Sequence, residues 1–213
     1  MLQLSGVTKR FGERAVIDGL CLSVEDGAFL AITGPSGAGK TTLLNVMGGL
    51  ERPDAGDVLL DGAPMRPGRS ALLFHRHRAG FLFQDFALME EQSVRANLEV
   101  ALAYRADVRG SAARLEVMRA ALSRVGLDPG ATLPKRVYQL SGGEQQRVAL
   151  ARLVCKDPSY VFADEPTGNL DAANRDVVLG VLRQLNEAGK TVVVVTHDPA
   201  VADAPCVTQR VRL

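Results

Sequence analysis

Between a solidly apolar run, Phe29-Leu30-Ala31-Ile32, and the helix-like Thr42-Leu43-Leu44 stands Gly34-Pro35-Ser36-Gly37-Ala38-Gly39-Lys40-Thr41, which fits G-x-x-x-x-G-K-[ST]. No other feature constrains the fold as strongly, because the pattern needs a buried strand before it and a helix after it. Gly34, Gly37 and Gly39 let successive backbone N–H groups, with Ser36 among them, turn inward around phosphate oxygens. The helix N-terminus, opening at Thr42, adds partial positive charge. Lys40 reaches the outer phosphates, and the Thr41 hydroxyl suits a magnesium ion. A glycine-rich turn carrying an exposed lysine is the bland alternative, and it leaves the two flanks unexplained. The motif alone does not separate an ATPase from a GTPase or a small-molecule kinase.

Around this turn the hydrophobic pattern changes period. Leu20, Leu22 and Val24 alternate with polar neighbours and read as a half-exposed antiparallel strand, turning at Asp26-Gly27. Asp57 to Leu60, between Gly56 and Asp61-Gly62, reads as an edge strand of the same layer. From about Ser93 to Val125 the residues Leu115, Met118, Leu122 and Val125 step by three or four, which predicts a small helical lobe. Tyr160 to Ala163 and Val192 to Val195 then bracket a helix-like stretch from Asp171 to Asn186, the strand, helix, strand order of a parallel sheet.

Ligands of parallel sheets bind beyond the carboxyl ends of the strands, so polar residues that follow buried runs are site candidates. Asp164-Glu165 follows Tyr160 to Ala163, Gln84 follows Gly80 to Phe83, and His197 follows Val192 to Thr196. Asp164 suits Mg²⁺, a hard cation that prefers oxygen ligands and keeps several waters. Glu165, left free of the metal, can orient and deprotonate an attacking water. Gln84 can ligate the metal or that water, and His197 can hydrogen-bond a terminal phosphate. Singly, each can be an ordinary solvated or structural group; the constellation carries the weight. Asp171 precedes a helix, where N-capping is at least as good an account as catalysis.

Leu140-Ser141-Gly142-Gly143-Glu144-Gln145-Gln146-Arg147 precedes another helix, and Ser141 with Glu144 has capping-box spacing. Capping does not explain two glycines in a first turn, where each costs up to about 1 kcal/mol relative to Ala. Their missing side chains suggest close approach by an anion.

Over nearly its whole length the chain resembles the ATP-binding-cassette ATPases. Gly34 to Thr41 matches their Walker A, Gln84 their Q-loop, Leu140 to Gln145 their signature, Tyr160 to Glu165 their Walker B with the catalytic glutamate, Asn169 to Asp171 their D-loop, and His197 their H-switch. The resemblance implies an α/β fold: a P-loop NTPase core with a mainly parallel sheet, an N-terminal antiparallel β layer and an inserted α-helical subdomain. Residues 1–87 and 155–213 would form the core and 88–154 the signature subdomain. It also implies ATP and Mg²⁺ as ligands. A head-to-tail dimer would sandwich two ATP molecules, with each γ-phosphate meeting Ser141 and Gly143 of the opposite copy. Two positions depart from the common pattern: Glu144 stands where many cassettes have Gln, and Phe11 where an aromatic ring, often Tyr, stacks on adenine. Phe11 as plain core is the alternative.

The wording from Ala163 to Asp171 looks like the branch of lipoprotein-release, macrolide-export and cell-division cassettes. Phe83 to Met89 looks closer still to lactococcin-type bacteriocin export ATPases. The branch implies ATP-driven export or extraction of a peptide, lipoprotein or drug-like substrate. A mechanical transmitter that controls an extracytoplasmic enzyme shares every motif. Within the family the segment after the Q-loop grips a helix of the membrane subunit, and Phe86, Leu88 and Met89 offer either that lining or core.

Charge and composition bound the partners. Lys plus Arg total 25 against 24 acidic residues, a net charge of +1, which predicts no nucleic-acid partner. No apolar run approaches the roughly 20 residues that cross a bilayer, so if the chain acts at a membrane another chain must supply the span, which the resemblance implies is an integral membrane permease subunit. The expected location is cytoplasmic, peripheral on the inner face of the cell membrane. Three scattered cysteines without metal-ligand spacing suggest reduced thiols. His75-Arg76-His77-Arg78 reads as a solvated basic turn.

Overall fold

The computed structural model describes residues 1–168 and 170–213; Asn169, the first residue of the predicted D-loop, lies outside them. Two sheets stack. In the first, β1 (Leu2–Phe11), β2 (Arg14–Val24), β4 (Ala55–Leu60) and the two-residue β5 (Ala63–Pro64) run antiparallel in the order β2-β1-β4-β5. The second is wholly parallel: β6 (Ala79–Leu82), β7 (Tyr160–Asp164), β8 (Thr191–Val195), β3 (Phe29–Thr33) and β9 (Gln209–Arg212), in that order.

The strands β6, β7, β8 and β3 are buried on both faces, which is why they read as apolar runs, whereas β9 at the edge is half-buried to exposed. Their side chains still divide with period two. Leu30, Ile32, Tyr160, Phe162, Val193 and Val195 join β1 and helix α1 (Lys40–Met47) in the core between the sheets. Phe29, Val161, Ala163, Val192 and Val194 face the opposite way. There they meet α3 (Val94–Leu102), α4 (Ser111–Arg124), α6 (Gly142–Lys156) and α7 (Ala172–Glu187). The helical lobe therefore shares its core with the parallel sheet. Met118, Leu122 and Val125 are fully buried there and Leu115 packs beside them, the face that the spacing predicted.

Two readings are corrected. Residues 57–60 are not an edge: β4 pairs with β1 on one side and with the short β5 on the other. His75 to His77 are not a turn but the last turn of α2 (Arg69–His77), where the Arg76 guanidinium complements the helix dipole. His75 Nε2 lies 2.8 Å from the Gly48 carbonyl, and Lys156 Nζ donates to the His75 carbonyl at 2.6 Å.

Candidate functional site

Pairing register decides where the chemistry collects. Leu82 pairs with Ala163, Asp164 with Val195, and Val195 with Ile32, so these strands end at one level. The next residues of each chain segment therefore leave the sheet side by side. A cleft of about 500 Å³ opens there, lined by Phe11, Val16, Ser36, Gly37, Gly39, Lys40, Thr41, Thr42, Gln84, Glu165, Gly168 and His197.

Within the loop between β3 and α1, Gly34 (φ 150°) leaves the strand and Gly39 (φ 95°) enters the helix. Gly39 has a second reason to be glycine: a Cβ there would sit 2.3 Å from Cγ1 of Val16 on β2. The antiparallel layer thus braces the loop. Lys40 is buried and its ammonium donates to the carbonyls of Gly34 and Pro35, both at 3.0 Å, so its charge lies across the mouth of the loop.

Thr41 donates its hydroxyl to Asp164 Oδ1 at 3.1 Å. Burial raises the Asp164 carboxyl above the usual carboxylate range. The Thr41 bond opposes the rise, Glu165 adds to it, and Lys40 opposes it again. A desolvated carboxylate beside a hydroxyl, with the Gln84 amide in the same cleft, is an all-oxygen donor set of the kind a hard divalent cation takes.

Glu165 follows in a left-handed backbone conformation (φ 45°), its N–H bonded to the Val195 carbonyl at 2.9 Å. Its Oε2 lies 2.8 Å from His197 Nδ1 and 3.3 Å from the His197 backbone nitrogen. Phe11, at the end of β1, is 54% exposed, which sets it at the rim and not in the core. The Lys9 ammonium lies 5.5 Å from the centre of its ring.

Ser141, Gly143 and Asp171 are not among the described residues lining the cleft. Ser141 caps α6 in a closed capping box with Glu144. Asp171 caps α7, accepting from the Asn174 N–H at 2.8 Å, as the capping account has it. A Cβ on Gly143 would lie 3.0 Å from Asn174 Nδ2, so the Asn174 side chain, tied to Asp171 and Arg147, would have to give slightly. Gly142 has no neighbour within 4 Å.

Helix α6 is tied to the cleft at two levels. Gln146, buried, donates to the Pro166 carbonyl at 2.7 Å, one residue beyond Glu165. Arg152 donates to the carbonyls of Phe86 and Ala87, which stand at φ 63° and 46° just past Gln84. Sequence reasoning missed Val16, Gly168, Gln146 and Arg152. A buried Gln two residues after a capping glutamate was the one available hint. Phe86 and Leu88 pack against the core, whereas Met89 is 43% exposed. A mainly apolar hollow nearby, about 300 Å³, is lined by Phe81, Phe83, Ala87, Val100 and Tyr104 together with the cations of Arg152 and Lys156.

Fold and cleft together define a P-loop nucleoside triphosphatase with an acid pair and a histidine at register-matched strand ends. The ABC transporter family model matches residues 17–168, and the chain belongs to that family as one of its ATP-hydrolysing cassettes. It is 42% identical over 221 residues to the macrolide export ATP-binding/permease protein MacB of Syntrophobacter fumaroxidans, covering all of this chain and 30% of that protein. It is 38% identical over 208 residues to the ABC transporter ATP-binding protein YxdL of Bacillus subtilis, covering 95% of this chain and 79% of the relative. The dimeric structure of MJ0796, a bacterial ABC transporter cassette, superposes with a TM-score of 0.90 at 34% identity, over all of this chain and 94% of that one.

Proposed function

We propose that the chain binds and hydrolyses ATP to drive export or extraction of a peptide, lipoprotein or drug-like substrate through a membrane permease. The observation that carries the catalytic part is the register-matched convergence of Lys40, Thr41, Gln84, Glu165 and His197 on one cleft. The export part rests on the likeness to MacB, an ATP-binding/permease protein of which this chain spans about 30% of the length.

In this reading the loop from Gly34 to Gly39 and the Lys40 ammonium bind the phosphates. Phe11 offers its exposed ring to adenine, a contact with no base-edge code and therefore modest discrimination between ATP and GTP. Thr41, Asp164 and Gln84 would hold the magnesium ion, which supplies charge neutralisation at the phosphates. Glu165 takes the proton of the attacking water as its oxygen bonds to the γ-phosphorus and the bond to the ADP oxygen breaks. His197, 2.8 Å from Glu165, fixes that carboxylate and can hydrogen-bond the γ-phosphate. Segment 88–154 presents Ser141 and Gly143 to the nucleotide of a second copy, in a head-to-tail dimer that ATP occupancy stabilises. The hollow around Phe83, Val100 and Tyr104 receives an apolar segment of the permease at the inner face of the membrane.

Sedimentation of Glu165→Gln tests the core of this. With MgATP it should retain nucleotide, turn over very slowly and accumulate as a dimer. Turnover at the rate of the unaltered protein would remove Glu165 from its role.

A further inference from the structure

The closed capping box at the head of α6 has a consequence beyond helix stability. A serine hydroxyl carries one proton to donate. In this chain Ser141 Oγ directs it to Glu144 Oε2 at 2.9 Å, and the same carboxylate oxygen accepts the Ser141 backbone N–H at 2.9 Å. The Glu144 N–H returns to Ser141 Oγ at 3.4 Å. These bonds from the Ser141 backbone and hydroxyl, with Lys135 and Arg147 nearby, hold the Glu144 carboxyl below its usual range, so it is anionic at neutral pH. An in-chain anion thus takes the hydrogen bond that a phosphate oxygen would need from Ser141.

We infer that Glu144 is a positioning residue that sets the ATP concentration at which two copies associate, by keeping the Ser141 hydroxyl proton in-chain until the γ-phosphate displaces it. The inference rests on the head-to-tail reading above. Displacement breaks a charge-assisted hydrogen bond, roughly twice as strong as a neutral one, and brings a carboxylate beside a phosphate at short range. Gln has the same shape, keeps an oxygen for the Ser141 N–H and carries no charge. It therefore preserves the cap while weakening the hold on the hydroxyl.

The experiment places Glu144→Gln in the Glu165→Gln background and titrates ATP with magnesium while sedimentation follows dimer formation. The half-point should fall about fivefold, the ratio expected when a hydrogen bond to a charged group becomes a neutral one. Nucleotide-free thermal unfolding should fall by only about 2–4 °C in Glu144→Gln, whose weakened bond still closes the capping box, and by more in Glu144→Ala, which opens it. A half-point that stays put or rises in Glu144→Gln overturns the inference. Ser141→Ala in the same background separates the two levels. If it raises the ATP requirement while Glu144→Gln does not lower it, only the role of Glu144 falls. If it leaves ATP-driven dimerisation intact, the head-to-tail clamp falls and the role of Glu144 with it.

Discussion

Replacing Gly39 with Ala should damage the phosphate loop through a contact that lies outside it. The new Cβ would stand 2.3 Å from Val16 Cγ1 and 3.2 Å from the Val16 carbonyl oxygen, on a strand of the other sheet. Val16 is β-branched and stiff at χ1, so it cannot swing clear without cost. Overpacking of this kind costs about 1–3 kcal/mol. The left-handed backbone at φ 95° adds roughly 1–2 kcal/mol for any L residue. Their sum, about 2–5 kcal/mol, corresponds to a fall in Tm of roughly 5–15 °C for a chain of this size. Thermal unfolding by circular dichroism measures it, and MgATP affinity should fall in parallel. Val16→Ala removes the clashing methyl, so the double variant should recover the steric part and keep the backbone part, a coupling of about 1–3 kcal/mol. A Gly39→Ala protein within about 0.5 kcal/mol of the original, or a double variant whose losses merely add, would refute the bracing of the loop by β2.

Lys40→Ala should weaken MgATP binding by about tenfold to a hundredfold, the worth of a hydrogen-bonded charge, as read by equilibrium dialysis. Ser141→Arg should abolish hydrolysis yet leave ATP binding to the monomer within about twofold in a filter assay; the lost cap should cost about 1 kcal/mol of stability. Asp164→Asn should lose hydrolysis and gain thermal stability. Because the folded Asp164 carboxyl lies above its unfolded value, its ionised form opposes folding, and this cost fades as pH falls through the raised folded value. The stability gain of Asp164→Asn should therefore be largest near neutral pH and shrink under acid. A gain that grows on acidification would reverse the sign of the burial effect.

Four strands of the parallel sheet were legible because they are buried on both faces, leaving apolar runs that end abruptly at Gly34, Gln84, Asp164 and His197. β1 was not read, since the glycine at position 6 and the polar residues around it break the alternation; two register shifts in its pairing with β2 follow that segment. β9, with Gln209 and Val211 half-buried and Arg210 and Arg212 exposed, is too short and too polar to stand out as a strand. Periodicity found the α4 face through Met118 and Leu122. It could not find α2, whose exposed Leu72 and Leu73 and basic end resemble a loop. The cleft residues announced themselves by position after strands, and Phe11 by resemblance. Val16 stayed hidden because bracing a glycine across two sheets leaves no trace in local spacing. The same holds for Arg152, a helix residue whose partners are backbone carbonyls 65 and 66 positions away.

These ties give a route for coupling between the cleft and the hollow proposed to receive the permease. α6 carries Ser141 at its head, Gln146 against the Pro166 carbonyl and Arg152 on the turn after Gln84. Arg152 also lines the hollow around Phe83 and Val100. One rigid helix therefore touches the signature end, the acid pair's turn and the proposed membrane-facing surface, which is the physical connection an ATP-driven transmission needs.

The most direct measurement is a structure of Glu165→Gln bound to MgATP. The account predicts two copies enclosing two nucleotides, with one γ-phosphate held by Lys40 of one copy and Ser141 of the other. A monomer, or a dimer in which Ser141 lies remote from every nucleotide, would contradict it.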